Sequence, residues 1–336
     1  MAVLQFTEKG IYCKRANVYI DPWKPVDYAI ITHAHADHSR WGNKFYLCHH
    51  LSKPIIQHRL GLDIHIESME YLENRTIRGV SFSFYPAGHI IGSAQIRVEY
   101  KGEGASGEYK LEDDGFASPF EPIKCNTFIT ECTFGLPVFQ WQDQKEVFNE
   151  INQWWKKNQE EDKVTILTGY SLGKAQRLIQ GIDPSIGKIF THGAIEKTNE
   201  IIRNMGVKLN QTTYVNPEIN KSAYRGALVI APPSALGTSW QRKFQPFEVG
   251  NASGWMKLRG PRRRRTLDRG FVLSDHADWD GLNAAIKATS CEKVIVTHGY
   301  TNVFSKWLND QGIDTQIEAT AFEAEAMEIA DKDNVA

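Results

Sequence analysis

Short apolar runs rich in β-branched and aromatic residues recur at both ends of this chain, and each stops at a residue with chemistry to offer. The run 18–20 leads to Asp21, 28–31 to His33, 81–85 to His89, 127–130 to Glu131, 271–273 to Asp275 and His276, and 293–297 to His298. Bounded runs of this length and composition read as buried strands. The middle of the chain has another texture. Residues 143–160 place Val147, Phe148, Ile151, Trp154 and Trp155 at helical spacing, which predicts an amphipathic helix. Strand candidates follow at 164–167, 188–190 and 227–230, with a helix opening after the loop 169–174. Alternation of helix and strand predicts a parallel α/β unit. The whole chain is therefore expected to be α/β, with a second α/β domain, residues 139–268, inserted into a first domain made of 1–138 and 269–336. In layered α/β proteins ligand groups gather where strand ends meet loops. The six strand-end residues thus predict one site assembled from both ends of the sequence.

Composition leaves that picture standing and narrows it. A chain of 336 residues can bury a large core and hold two domains. A hydrophobic content of 41% with net charge −1 describes an ordinary globular protein. The near-neutral balance argues against a general polyanion-coating protein, so any nucleic-acid contact must come from a local patch. Five scattered cysteines without CxxC spacing suit reduced thiols. The first nine residues carry no basic n-region and no long apolar core, so a cytoplasmic location without membrane contact is expected.

The strongest chemical signal is Thr32-His-Ala-His-Ala-Asp-His38, which puts His33, His35, Asp37 and His38 within six residues directly after an apolar run. Imidazole nitrogen and carboxylate oxygen are ligands for zinc, manganese or iron, and one strand-to-loop turn can aim them at two adjacent ions. A single buried histidine is usually a satisfied core residue; four such groups at this spacing predict a metal site. The loop Gly169-Tyr-Ser-Leu-Gly-Lys174 invites comparison with a P-loop. It has three residues between its glycines instead of four, and Ala175 follows the lysine, so ATP binding is not supported. A glycine turn at a helix N-terminus can still hold a phosphate through backbone N–H groups, and a plain strand-to-helix connection is the other reading. Residues 257–269 hold seven basic groups (Lys257, Arg259, Arg262, Arg263, Arg264, Arg265 and Arg269) against one acid. Such a run is often only a solvated face. A basic stripe leading into the segment that delivers His276 is also what a phosphodiester backbone requires.

Together, His33-x-His35-x-Asp37-His38, Gly88-His89, Ser274-Asp-His276-Ala-Asp278 and Thr297-His298-Gly299 resemble the metallo-β-lactamase-fold nucleases of the β-CASP branch. The stretch from Gly254-Trp-Met through the arginines to Trp279, with Thr127-Phe-Ile-Thr-Glu131 and Thr133-Phe-Gly-Leu-Pro137, most resembles the bacterial DNA-ligase-associated exonuclease group, which is similar to the mRNA 3′-end processing factor. The resemblance covers nearly the whole chain and implies an αββα sandwich carrying an inserted β-CASP-like domain. It also implies two divalent metal ions, zinc or manganese: His33, His35 and His89 would bind one, and Asp37, His38 and His298 the other. Asp21 would orient the histidine loop, Glu131 would orient His276, and His276 would be the general acid. One position departs from the pattern. The family places an aspartate after glycine as the carboxylate shared by both metals, and this chain reads Ser106-Gly-Glu108-Tyr, with a stem one methylene longer.

The chemistry this implies is phosphodiester hydrolysis by two ions about 3.5–4 Å apart that share an activated hydroxide, with the basic tract and the inserted domain clamping the strand. Single-stranded DNA is the favoured substrate and RNA the alternative; the resemblance also implies DNA ligase or helicase repair proteins as partners. Two rivals belong to other classes. A small-molecule metallohydrolase acting on a thioester, lactone or lactam would use the same histidine loop, but the inserted domain, the His276 and His298 elements and the arginine tract count against it. A non-catalytic nucleic-acid-binding relative would be expected to lose several ligands, whereas here one position departs.

Overall fold

The structure of the protein is a computed structural model that describes residues 3–101, 103–106, 108–258 and 267–321. The α/β class is observed, in two compact units. One comprises Met1–Gln140 with Asp275–Ala336 and the other Trp141–Ser274.

The first unit holds two sheets. A six-stranded sheet runs in the order Gln5–Thr7, Gly10–Cys13, Val18–Ile20, Tyr28–Ile30, Phe45–His49, Ile66–Met69. Its last four strands are parallel, so their carboxyl ends lie on one edge. A seven-stranded sheet runs Asp314–Ile317, Lys293–Gly299, Thr127–Cys132, Glu103–Ser106, Ala94–Glu99, Val80–Pro86, Asn74–Ile77. The sheets pack face to face through one apolar cluster: Val18, Ile20, Ile30 and Leu47 come from the first, Phe82, Phe84, Ile96, Val98, Ile129 and Ile295 from the second. The period-2 alternation of a strand explains how the second sheet serves two cores. Phe128 and Cys132 belong to the face opposite Ile129, and with Val294 and Val296 they pack against Leu282, Ala285 and Ile286 of helix Trp279–Thr289 and Phe304 and Leu308 of helix Thr301–Asp310. Phe82 and Phe84 are wholly buried, and truncating either to alanine would cost about 3–5 kcal/mol.

The second unit is an all-parallel six-stranded sheet, ordered Thr213–Tyr214, Ile189–Thr191, Leu228–Ala231, Val164–Thr168, Phe247–Ala252, Arg269–Phe271. Both faces of a parallel sheet are covered, and its central strands Val164–Thr168 and Leu228–Ala231 are buried throughout. Helix Gln144–Glu160 starts where the Asp143 carboxylate accepts the Lys145 N–H, and it buries the Val147, Phe148, Ile151, Trp154, Trp155 face anticipated from spacing.

One strand lies elsewhere than its apolar run suggests. The run 271–273 was expected to pair in the first unit. The strand observed is Arg269–Phe271, paired with Phe247–Ala252 of the second unit. The partner strand ends opposite Phe271, at Ala252, so the ladder has nothing to offer Val272 and Leu273. The second unit runs to Ser274.

Candidate metal centre

Five loops and strand ends of the first unit meet at one carboxylate, Glu108. His33, His35, Asp37 and His38 come from the turn after strand Tyr28–Ile30. His89 comes from the loop between strands Val80–Pro86 and Ala94–Glu99, Glu108 from the segment after Glu103–Ser106, His276 from the loop before helix Trp279–Thr289, and His298 from strand Lys293–Gly299. Two glycines make the tight approaches. Gly88 has φ +72°, and a Cβ there would sit 2.1 Å from the Lys110 carbonyl oxygen. Gly299 has φ +104°, and a Cβ would sit 2.3 Å from the Cys132 backbone. Neither position tolerates a side chain, which is why glycine precedes His89 and follows His298.

The donor atoms form two groups that meet at Glu108. On one side, His35 Nδ1 lies 3.1 Å from His33 Nε2 and 3.3 Å from His89 Nε2. Glu108 Oε2 is 3.4 Å from His89 Nε2 and 3.7 Å from His33 Nε2. On the other side, Glu108 Oε1 is 3.1 Å from His38 Nε2 and 3.3 Å from His298 Nε2, and Asp37 Oδ2 is 3.5 Å from His38 Nε2. The longer stem of glutamate therefore spans both groups, one oxygen to each. His33, His35, His89 and Glu108 alone offer four ligand atoms within 4.8 Å of one another.

Outward-facing nitrogens are held as metal-binding imidazoles require. His38 Nδ1–H donates to Asp21 Oδ2 at 2.8 Å. Thr32 N–H donates to Asp21 Oδ1 at 2.8 Å and the Thr32 hydroxyl to Asp21 Oδ2 at 2.5 Å. The hydroxyl oxygen accepts His33 Nδ1–H at 2.9 Å. His89 Nδ1–H donates to the Asp275 carbonyl at 2.8 Å. Each contact favours the proton on Nδ1, so that in the neutral imidazole the Nε2 lone pair faces inward. Arg59, from helix Lys53–Leu60, braces the histidine turn by donating to the Ala34 carbonyl at 2.9 Å and the Ser39 hydroxyl at 2.5 Å.

Electrostatics follow from burial. Burial and the surrounding imidazoles push His33 well below its ordinary pKa, and burial with the neighbouring His276 brings His89 down to about 3. Neutral imidazole is the ligand form. Burial alone would also lower His38, but Asp37, Glu108 and Asp21 outweigh it and hold it well above the usual value. Glu108 is buried too, yet His38 and His298 hold it well below the carboxylate range. At one side of the cluster His276 Nδ1 lies 3.4 Å from Glu131 Oε1 and 3.9 Å from Glu108 Oε2. Thr133 N–H donates to Glu131 Oε2 at 2.5 Å. Against the cost of burial, His276 keeps the Glu131 carboxyl below its ordinary range.

The donor set is nitrogen-rich, carboxylate-completed and desolvated, which fits a divalent metal ion. The sequence is similar to a probable DNA ligase of Opitutus terrae, 27% identical over 310 residues, which is 91% of this chain and 30% of that protein. It is similar to the cleavage and polyadenylation specificity factor 73 of Drosophila melanogaster, 28% identical over 122 residues, 35% of this chain and 18% of the relative. An RNase J-like protein of Methanocaldococcus jannaschii is 25% identical over 232 residues, 58% of this chain and 53% of its own. The chain is a relative of the β-CASP nucleases. It spans less than two thirds of the length of each of these three relatives. No family model matches. A crystal structure of a protein of unknown function from Enterococcus faecalis shares the fold, with TM-score 0.59 and 11% identity over 89% of this chain and 81% of the other.

All eight residues assigned to the metals and the acid from this resemblance, together with Asp21 and Glu131, are thus brought together. Of the basic tract, Lys257 closes the turn Gly254–Lys257 and the Arg269 guanidinium lies over the Phe271 ring at 5.5 Å. Arg259, Arg262, Arg263, Arg264 and Arg265 lie outside the described residues. Sequence reasoning missed Thr32, Arg59 and the Asp275 carbonyl. Thr32 could have been suspected from its place before His33; a backbone carbonyl and an arginine 21 residues past His38 (59 minus 38) carry no local signal.

Proposed function

We propose that this chain is a metal-dependent nuclease that hydrolyses phosphodiester bonds at the His33–Glu108 cluster, with single-stranded DNA as substrate and exonucleolytic action. The observation that carries the reading is Glu108, which puts one oxygen 3.4 Å from His89 Nε2 and the other 3.1 Å from His38 Nε2. One carboxylate shared between two nitrogen-rich groups is the arrangement a two-ion site needs. In this reading the paired sheets of the first unit, with helices on the outer face of one, form a metallo-β-lactamase αββα sandwich, and the second unit is a β-CASP domain. Cys13, Cys48, Cys132 and Cys291 are free thiols, three of them buried, which supports a cytoplasmic setting. Among the described residues no helix is long and apolar enough to cross a membrane.

His33, His35 and His89 would hold one ion, Asp37, His38 and His298 the other, and Glu108 both. When bound, two divalent ions supply charge neutralisation at the phosphoryl oxygens and lower the pKa of an attacking water. The chain's own groups do the rest. Asp21, Thr32 and the Asp275 carbonyl keep the imidazoles in the tautomer that faces inward. Glu131, ionised beside His276 Nδ1, stabilises the protonated imidazole, the state from which a general acid delivers its proton to the departing oxygen. Lys257 and Arg269, with the arginines between them, would supply the phosphate contacts. The DNA-ligase relative supports DNA as substrate and a ligase as partner. The endoribonuclease relatives, among them ysh1 of Schizosaccharomyces pombe at 28% identity over 290 residues, support RNA as the second reading.

The test is cleavage of end-labelled single-stranded DNA and matched RNA by metal-stripped protein given back zinc or manganese, beside Asp37→Ala. Metal-dependent cleavage absent from Asp37→Ala is expected, and the product ladder gives polarity and sugar preference. Full activity in Asp37→Ala, or no cleavage of either polymer with either metal, would overturn the reading.

A further inference from the structure

The carboxyl edge of the six-stranded sheet carries a second histidine group. Because the strands Tyr28–Ile30, Phe45–His49 and Ile66–Met69 are parallel and adjacent, the residues that follow them emerge side by side. The first of the three leads into the His33 turn. The next ends at His49 and turns at His50, and the third is followed by Glu70. His49 pairs with Met69 across the ladder, and His50 N–H donates to the Met69 carbonyl at 3.2 Å. That register delivers three donor atoms to one point. His50 Nδ1 lies 2.8 Å from Glu70 Oε2 and 3.1 Å from His49 Nε2, and His49 Nε2 lies 4.0 Å from Glu70 Oε2.

We propose that His49, His50 and Glu70 form a separate site for a borderline divalent cation such as zinc. Two imidazoles and one carboxylate on a single face, with the remaining positions open, is a recurrent ligand set for such ions. Ligands bound at about 2.0–2.1 Å in a tetrahedron stand roughly 3.3 Å apart, and the three observed separations bracket that value. All three residues can place a ligand atom within 4.8 Å of the others. His49 is wholly buried, and its ring stacks on Tyr71 with centroids 3.7 Å apart and planes 17° from parallel. Its Nδ1 accepts the Leu51 N–H in a long contact of 3.4 Å, which binding of an ion at Nε2 would displace. His50 and Glu70 are exposed enough for an ion to enter, with side chains 43% and 65% accessible.

The site also touches the loop that carries His89. Tyr71, stacked on His49, donates its hydroxyl to the Ser93 carbonyl at 2.8 Å. Ser52, whose N–H donates to the His49 carbonyl at 3.0 Å, donates its own hydroxyl to the Gly92 carbonyl at 2.9 Å. An ion here would pin the ends of two neighbouring strands and, through Tyr71 and Ser52, the far side of the His89 loop. The inference stands without the nuclease reading, since its residues and its readout are separate.

The experiment counts zinc per chain by elemental mass spectrometry after zinc loading and gel filtration, in the unaltered chain and in the His50→Ala/Glu70→Gln variant. Both positions are accessible, and circular dichroism checks that the variant folds. One zinc fewer per chain in the variant is expected; equal counts would overturn the proposal. A second measurement needs no variant. In nuclear magnetic resonance spectra of the unaltered chain, added zinc should shift the ring signals of His50 and of Tyr71. Zinc-insensitive signals from both rings would show a hydrogen-bonded trio and no ion site.

Discussion

Two histidine clusters share one sheet edge, and they are built to opposite specifications. Around Glu108, the inward-facing imidazoles His33, His38 and His89 each have the opposite nitrogen held by Thr32, Asp21 or the Asp275 carbonyl. At Glu70, one imidazole is locked by burial and stacking while the other two ligands face solvent. The first arrangement desolvates its donors and fixes their tautomers before any ion arrives, which favours tight, geometrically defined binding. The second leaves water in competition with the ion and two side chains to be ordered on binding, which favours exchange. Ligand identity is nearly the same in both. What separates them is the shell behind the ligands.

The largest effect that would break this comparison comes from the shared carboxylate, Glu108. Glu108→Ala should abolish cleavage of single-stranded DNA and reduce the zinc count by more than the single ion lost on altering the outer site. Glu108→Asp should also be severely impaired, because a stem one methylene shorter reaches one nitrogen group and not both. Wild-type rates in Glu108→Asp would show that spanning both groups is unimportant. A step below lies His276→Ala. Loss of a general acid costs about 10²–10⁴-fold, so single-turnover cleavage should slow by that factor while the zinc count stays unchanged. A drop in zinc content alongside the rate would make His276 a ligand and remove it from the acid role.

How much of this was legible in the chain depends on how far a role reaches. The run His33 to His38 declares itself because its four donors are consecutive and follow a clear strand. Glu108 was visible only by resemblance, and its ability to serve both groups came from the placement of its two oxygens. The contacts from Thr32 and the Asp275 carbonyl depend on where a hydroxyl and a backbone oxygen end up, which no residue pattern encodes. His49, His50 and Glu70 escaped notice because the dipeptide and the glutamate are united only by the His49–Met69 register. The strand at Arg269–Phe271 was misplaced for a related reason. Hydrophobicity marks Val272 and Leu273 as strand-like, but a strand needs a partner, and Ala252 ends the one available.

A subtler change tests whether the backing shell is what divides the clusters. Asp21→Asn keeps the shape of the side chain but removes the charge behind His38 and weakens its acceptance of Nδ1–H. Such outer contacts are typically worth about 10–100-fold in metal affinity. Zinc competition with a chromogenic chelator should therefore show one ion weakened by that factor, with the ion at His49 unaffected. If Asp21→Asn leaves every zinc affinity as it was, tautomer control is not the source of tight binding here.

The smallest effect links the clusters. The His50→Ala/Glu70→Gln variant keeps every group around Glu108, so it should cleave with a rate loss well under tenfold, or less than about 1.4 kcal/mol. A small loss is still expected, because the His49–Tyr71 stack and the Tyr71 hydroxyl on the Ser93 carbonyl support the loop that presents His89. If that support is the route, Tyr71→Phe should reproduce the loss without changing the number of zinc ions bound, since it removes the hydroxyl contact and keeps the ring over His49. Cleavage rates and zinc counts measured together on the two variants separate the possibilities. Loss of rate in both with loss of zinc in only one would place the coupling in the loop contact, whereas an unchanged rate in both would make the outer cluster independent of the inner one.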